Sequence, residues 1–175
     1  MDEIGDRVLV IGCAGAGKTV FAQRLSRATG LPLVNLDREF WQAGWIEPDK
    51  RHWAAKVEEL IARPRWIMDG NYLGTLALRL TRGDTVIFLD PPRLVCLWRA
   101  MARMLRNLGR TRADMAPNCP ERFDWEFVKY IWNFASSHRP RVMEILRGFD
   151  GTLMVYENSS DAESFVISIE RSKMN

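Results

Sequence analysis

The chain has 175 residues, 47% hydrophobic and 27% charged, with 25 Lys and Arg against 22 Asp and Glu for a net charge of +3. This balance excludes a disordered chain, and the length favours one compact domain, 1–175, over two small ones. No run of about 20 apolar residues could span a bilayer. The acidic start Met1–Arg7 lacks a leader pattern, and the three scattered cysteines, Cys13, Cys96 and Cys119, fit reduced thiols, so a cytoplasmic protein is expected.

Val8–Ile11 is a short β-branched run closed by Gly12, the pattern of a buried parallel strand. Gly17–Thr29 follows with Val20, Phe21, Leu25 and Ala28 at helical spacing, and Gly30 stops it. Leu33–Leu36 predicts a second strand. Trp53–Ala62 predicts a helix that buries Trp53, Val57, Leu60 and Ile61. Trp66–Met68 is a strand ending at Asp69-Gly70-Asn71, and Thr85–Leu89 another, ending at Asp90-Pro91-Pro92. Arg93–Arg112 predicts one long helix with Leu94, Leu97, Trp98, Met101, Leu105 and Leu108 on its core face and Arg99, Arg103, Arg106 and Arg110 exposed. Gly109–Arg122 has no period, and a loop of that length in a compact domain suggests a lid. Phe123–Phe134 is an aromatic helix whose core stripe is Phe123, Phe127, Tyr130, Ile131 and Phe134, broken near Pro140. Leu153–Tyr156 is a last strand, with a final helix over Ala162–Arg171. Strands alternating with helices imply a parallel sheet covered on both faces.

Gly12-Cys13-Ala14-Gly15-Ala16-Gly17-Lys18-Thr19 matches the phosphate-loop pattern G-x-x-x-x-G-K-[ST], between a strand and a helix. Its glycines let successive N–H groups turn inward on phosphate oxygens, and the helix adds its positive end. Lys18 supplies a cation for the β- and γ-phosphates, and Thr19 a hydroxyl for magnesium. The motif implies a nucleoside triphosphate, ATP, together with Mg²⁺. Ligands of open α/β sheets bind beyond the carboxyl ends of the strands, where Asp37, Asp69 and Asp90 are expected. Asp69 is the first choice for the magnesium shell. Asp37 is placed to orient or deprotonate an acceptor hydroxyl, and Asp90 is either a turn residue or functional. The arginine stripe admits three readings: a solvated face, a polyphosphate clamp, or contact with a nucleic-acid backbone. The clamp is preferred, because the stripe runs into the lid. In that reading Arg99 lies far from the phosphates. His138 reads as structural, and the His and Cys spacing makes no zinc site.

Gly12–Thr19, Leu36-Asp37 followed by Trp41 and Gly44-Trp45, Asp69-Gly70-Asn71-Tyr72 and Leu89-Asp90-Pro91-Pro92 resemble small P-loop kinases of the adenylate-kinase type. Met115–Asp124, Trp132–Phe134 and His138–Arg141 make the chain more closely similar to the bacterial DNA-topology-modulation proteins. The resemblance implies a P-loop NTPase three-layer sandwich, a five-stranded parallel sheet of order 2-3-1-4-5 with a helical lid. It implies that Asp69 supports magnesium, that Arg106 and Arg110 contact the nucleotide at the lid, and, more weakly, that Arg122 is a lid-exit arginine. Asn71-Tyr72 replace the Phe-Pro-Arg that adenylate kinases use for the acceptor phosphate, so AMP is not carried over as acceptor. The combined expectation is an ATP- and Mg²⁺-dependent phosphotransferase acting on a small acceptor, with Lys18, Asp37, Asp69, Arg110 and Arg122 catalytic. The alternative is an ATP-gated nucleic-acid binder without kinase activity. No membrane partner is expected, and the oligomeric state is left open.

Overall fold

The strands are the apolar runs. β1 (Arg7–Gly12), β3 (Trp66–Asp69) and β4 (Thr85–Leu89) bury all their residues except Arg7, because helices cover both faces. With β2 (Leu33–Asn35) and β5 (Thr152–Tyr156) they form one sheet of order β2-β3-β1-β4-β5, and every pairing is parallel. The computed structural model describes residues 4–172; residues 1–3 and 173–175, which the sequence analysis assigns to the same domain, lie outside the described residues.

The helices are α1 (Lys18–Thr29), α2 (Leu36–Phe40), α3 (Lys50–Ile61), α4 (Leu73–Leu80), α5 (Arg93–Asn107), α6 (Trp125–Asn133), α7 (Arg139–Leu146) and α8 (Ser159–Ser172). α1 packs on α8, and α3 on α4. Gly30 ends α1 in the left-handed conformation, φ 75°. α3 begins earlier than its apolar spacing suggests, because Asp49 caps it, accepting from the N–H groups of Arg51 and His52.

Five expectations change. Leu36 is not in β2: it starts α2, so Asp37 lies in a helical first turn rather than at a strand end. Val20 is 64% exposed, and Ala22 takes its place in the core. α5 stops at Asn107, and its buried face is Cys96, Ala100 and Met104, while Leu94, Trp98, Leu105 and Leu108 are exposed. Here the small Cys96 and Ala100 at i and i+4 let the helix sit close against the phosphate loop, and a pattern counting only large apolar residues selects the wrong face. Phe123 is exposed ahead of α6. Pro140 breaks nothing: a π-helical turn, Phe134–His138, joins α6 to α7 and seats the proline in the first turn of α7, where its missing N–H costs little.

Candidate active site

The Gly12–Thr19 loop leaves the carboxyl end of β1 between β3 and β4. A Cβ at Gly12 (φ 143°) would overlap the carbonyl oxygen of Leu89, and one at Gly15 (φ 81°) that of Cys96. Only glycine combines these positive φ values with such close approach. Gly17 caps α1 with no side-chain bond to its N–H groups, so the positive end of the helix is free for an anion. Lys18 Nζ donates to the Cys13 carbonyl at 2.8 Å, folded over its own loop.

Asp69 ends β3 under this loop and is 6% exposed. Burial pushes its carboxyl up to about 6, against the pull of the Lys18 charge and a hydrogen bond from Thr19; Asp37 and Asp114 push it further up. An acid so desolvated beside a threonine hydroxyl fits a divalent cation, which would return the lost solvation. Asp37 accepts a 2.8 Å hydrogen bond from Tyr72 Oη. Burial and the Asp37 charge raise the Tyr72 phenol, so it remains a donor. Asp90 does not enter the site; it pairs with Arg139.

The segment carrying these groups is held by Arg79, fully buried on α4. Its guanidinium donates to the carbonyls of Gly70 (3.0 Å), Asn71 (2.6 Å) and Tyr72 (3.1 Å). Burial lowers it to about 9, against the pull of Tyr72. Tyr72 has φ 27°, an unfavourable value for a bulky residue, which the Arg79 contacts and the rings of Phe40 and Trp53, at 4.8 and 5.3 Å, hold in place.

These groups open into a cleft of about 970 Å³, lined by the phosphate loop, Asp37, Asp69, the aromatic wall of Phe40, Trp41, Trp45 and Tyr72, and the lid. Glu121, nearly buried, pairs with Arg112 (2.7 Å) and Arg103 (3.7 Å), and Arg112 also pairs with Asp114 (3.1 Å). The Gly109–Arg122 segment is tied to the loop after α2: Gly44 N–H donates to the Asn118 carbonyl (2.9 Å), Trp45 Nε1 to the Pro120 carbonyl (3.0 Å), and Cys119 Sγ to the Gln42 carbonyl (3.3 Å). Arg122 stacks 5.8 Å from the Trp45 ring. A second cavity of about 300 Å³, between Val20, Phe21, Pro91, Tyr156 and Val166, adjoins Gly17. It accounts for the exposed Val20.

Residues 8–123 match the model of the AAA domain. The chain belongs to the AAA domain family.

Across this AAA domain the fold is that of P-loop kinases. Shikimate kinase from Acinetobacter baumannii, solved with shikimate, aligns with a TM-score of 0.62 at 18% identity over 95% of this chain and 92% of its own. The YorR protein of Bacillus subtilis, in complex with phosphorylated GDP, aligns at 0.53 and 12% over 96% and 98%. A gluconokinase from Sinorhizobium meliloti 1021 aligns at 0.51 and 15% over 95% and 90%. No curated protein matches the chain. Among the described residues, no helix is long and apolar enough to cross a membrane, and no cluster of three or more His, Cys, Asp or Glu could hold a metal.

Of the residues singled out from the sequence, Gly12, Ala14, Gly15, Gly17, Lys18, Thr19, Asp37, Asp69, Arg106 and Arg122 meet at the cleft, whereas Cys13 is buried outside its lining and Ala16 lines the smaller cavity. Arg110 does not: it lies beyond the end of α5, exposed and outside the cleft lining. Arg99, expected far from the phosphates, lines both cavities beside Gly17 and donates to Ser159 Oγ at 3.0 Å. Arg99 and Arg103 are half-buried, while Arg106 and Arg110 are exposed, so only the lid end of the stripe faces outward. Sequence reasoning missed Arg79, Arg112 and Glu121. A lone arginine within the apolar Leu73–Leu80 is a readable signal for the first, whereas the Arg112–Glu121 pairing depends on the folded lid.

Proposed function

We propose that this chain is an ATP-dependent kinase that transfers the γ-phosphoryl group to a hydroxyl of a small acceptor. The observation that carries it is the meeting, in one cleft, of a complete phosphate loop, the desolvated Asp69 and the Asp37–Tyr72 pair. The N–H groups of Gly12–Thr19 would hold the β- and γ-phosphates, with Lys18 swinging from the Cys13 carbonyl onto them. Thr19 and Asp69 would hold Mg²⁺, which supplies charge neutralisation between the phosphates. Asp37, fixed by the Tyr72 hydroxyl, would accept the hydrogen bond of the attacking hydroxyl. Arg106 and Arg122 would neutralise the transferring group from the lid side; Arg110, exposed outside the cleft, has no part in this reading. Arg99 would sit between phosphates and base, with the base in the smaller cavity.

The acceptor end is aromatic, and its Arg103 and Arg112 are already paired with carboxylates. That favours an uncharged hydroxyl compound with an apolar face over a phosphorylated one. The kinase reading is preferred to the nucleic-acid one because Arg99 and Arg103 line the cleft and only Arg106 and Arg110 of the stripe are exposed.

Calorimetric titration of ATP with magnesium, followed by coupled measurement of ADP release over a panel of nucleosides, sugars, shikimate and gluconate, tests the proposal. The expected result is binding of ATP and acceptor-dependent ADP release. Absence of ATP binding rejects it.

A further inference from the structure

One face of α5 is apolar and open to solvent. Leu94, Trp98, Met101, Leu105 and Leu108 follow one another in alternate steps of four and three residues, so they form a single stripe running to the helix cap. Met101 is half-buried, and the other four are 57% to 69% exposed. Trp132 of α6, also exposed, borders the stripe where the Arg93 guanidinium lies 4.4 Å over its ring. None of these residues lines either cavity, and the face of α5 that meets the phosphate loop, with Cys96 and Ala100, lies on another side of the helix.

The stripe carries no charge. α5 has four arginines and no acid, and all four stand off the stripe with contacts of their own. Arg93 lies over Trp132, Arg99 donates to Ser159 Oγ at 3.0 Å, Arg103 pairs with Glu121 at 3.7 Å, and Arg106 donates to the Ala102 carbonyl at 3.0 Å. Val95, Leu97, Ala102 and Met104, which flank the stripe in sequence, are apolar too. A second copy therefore meets no like charge across this face. The order of the residues is also self-matching. Turned end for end about Met101, the stripe sets Leu94 against Leu108 and Trp98 against Leu105, as a twofold axis demands. Large side chains left half to two-thirds open present on the order of 600 Å² in one copy, so a pair buries about 1,200 Å², the size of a specific interface.

We propose that two copies of this chain pair through α5, antiparallel about a twofold axis at Met101, with Trp132 at the rim. A seam repeating every 3.5 residues packs two helices at a shallow crossing angle. Both clefts stay open in the pair, since no residue of the stripe lines them. The pairing goes beyond the kinase reading and does not depend on it.

Sedimentation velocity of the full chain from about 1 to 100 μM tests the proposal. The expected result is a species of twice the 20.2 kDa chain mass at the upper end. Trp98→Glu, and the milder Leu105→Ser, weaken association at least tenfold. Both side chains are exposed in the single chain, so circular dichroism stays that of the wild type. Ile46→Ser, which removes an exposed apolar residue from the loop after α2, keeps the pair. The melting temperature of the wild type rises with concentration, which decides the matter even where a variant does not fold. A nitroxide on Leu94→Cys lies roughly 20 Å from its twin, because the helix rises about 1.5 Å per residue on either side of the axis. A wild-type chain that stays monomeric at about 100 μM overturns the inference. So does a pair that survives both α5 substitutions or is lost equally in Ile46→Ser, or a pair whose labels lie within about 10 Å, as parallel helices would place them. A monomer that floats with phosphatidylglycerol vesicles assigns the face to a lipid surface and overturns it as well.

Discussion

Asp69 shows how a buried carboxyl works against stability. Its carboxyl binds a proton more tightly in the folded chain than in the unfolded one, because burial raises it to about 6. Folding stability of the ligand-free protein therefore falls as pH rises from about 4 to about 6, and the cost is fully present above that. A shift of about two pK units corresponds to roughly 3 kcal/mol. Asp69→Asn should then melt at a higher temperature than the wild type at pH 7.5, with the gap closing near pH 4. Its ATP turnover should vanish with the magnesium site, and thermal melts at the two pH values together with one turnover assay check this. Equal melting temperatures at pH 7.5 would show that Asp69 is solvated in the apo protein. Lys18 is the simpler case. Its amine rests on the Cys13 carbonyl and on no distant element, so Lys18→Ala should keep the melting temperature within about 1–2 °C and lose at least two orders of magnitude in turnover.

At the scale of elements, α4 has the part that its sequence hides. Leu73–Leu80 reads as an apolar helix, yet Arg79 is buried among its leucines because three carbonyls of the preceding turn converge on it. Arg79→Leu takes the guanidinium from the Gly70 and Asn71 carbonyls, each loss costing about 1–3 kcal/mol, while the Tyr72 carbonyl keeps its bond from the Thr75 N–H. We expect a loss of roughly 3 kcal/mol or more, read as a lower urea midpoint with an unchanged slope, and a weaker ATP response because Asp69 and Tyr72 lose their seat. A midpoint within about 0.2 M of wild type would show that water replaces the guanidinium. α5 teaches the opposite lesson about patterns. Its buried stripe, Cys96, Ala100 and Met104, is small at the end that meets the phosphate loop. Large exposed residues such as Trp98 and Leu105 lie on the other side, and apolar size alone misplaces the core face.

For the molecule as a whole, the decisive contact joins two segments about 75 residues apart. Trp45 donates to Pro120 and carries Arg122 on its ring, so the loop after α2 and the lid meet over the cleft. A closed cover excludes water from a phosphoryl group that water would otherwise accept. Trp45→Ala should therefore raise ADP release in the absence of any acceptor while lowering the acceptor-dependent rate. Both are read in the same coupled assay, and an unchanged basal rate would show that the clasp does not control water. The inward turn of Arg99 and Arg103 gives a further outcome at this scale: duplex DNA should bind only weakly at physiological salt, with a shallow salt slope in a fluorescence titration.

The strand order is what the family resemblance implies, whereas the sequence by itself determined the strands of the parallel sheet, the phosphate loop and the positions of Asp37 and Asp69. These follow from local patterns: buried runs of four to six residues, glycines at fixed offsets, and acids just past apolar segments. Only the tertiary structure decided which arginines line the cleft beside the phosphate loop. Helical spacing tells which residues share a stripe, but the burial of that stripe depends on what the neighbouring elements bring. Glu121 and Asp114 draw Arg103 and Arg112 inward, the early end of α5 leaves Arg110 outside, and close packing of α5 on Gly15 carries Arg99 to the loop. Those partners are distant in sequence, so no local period could announce them.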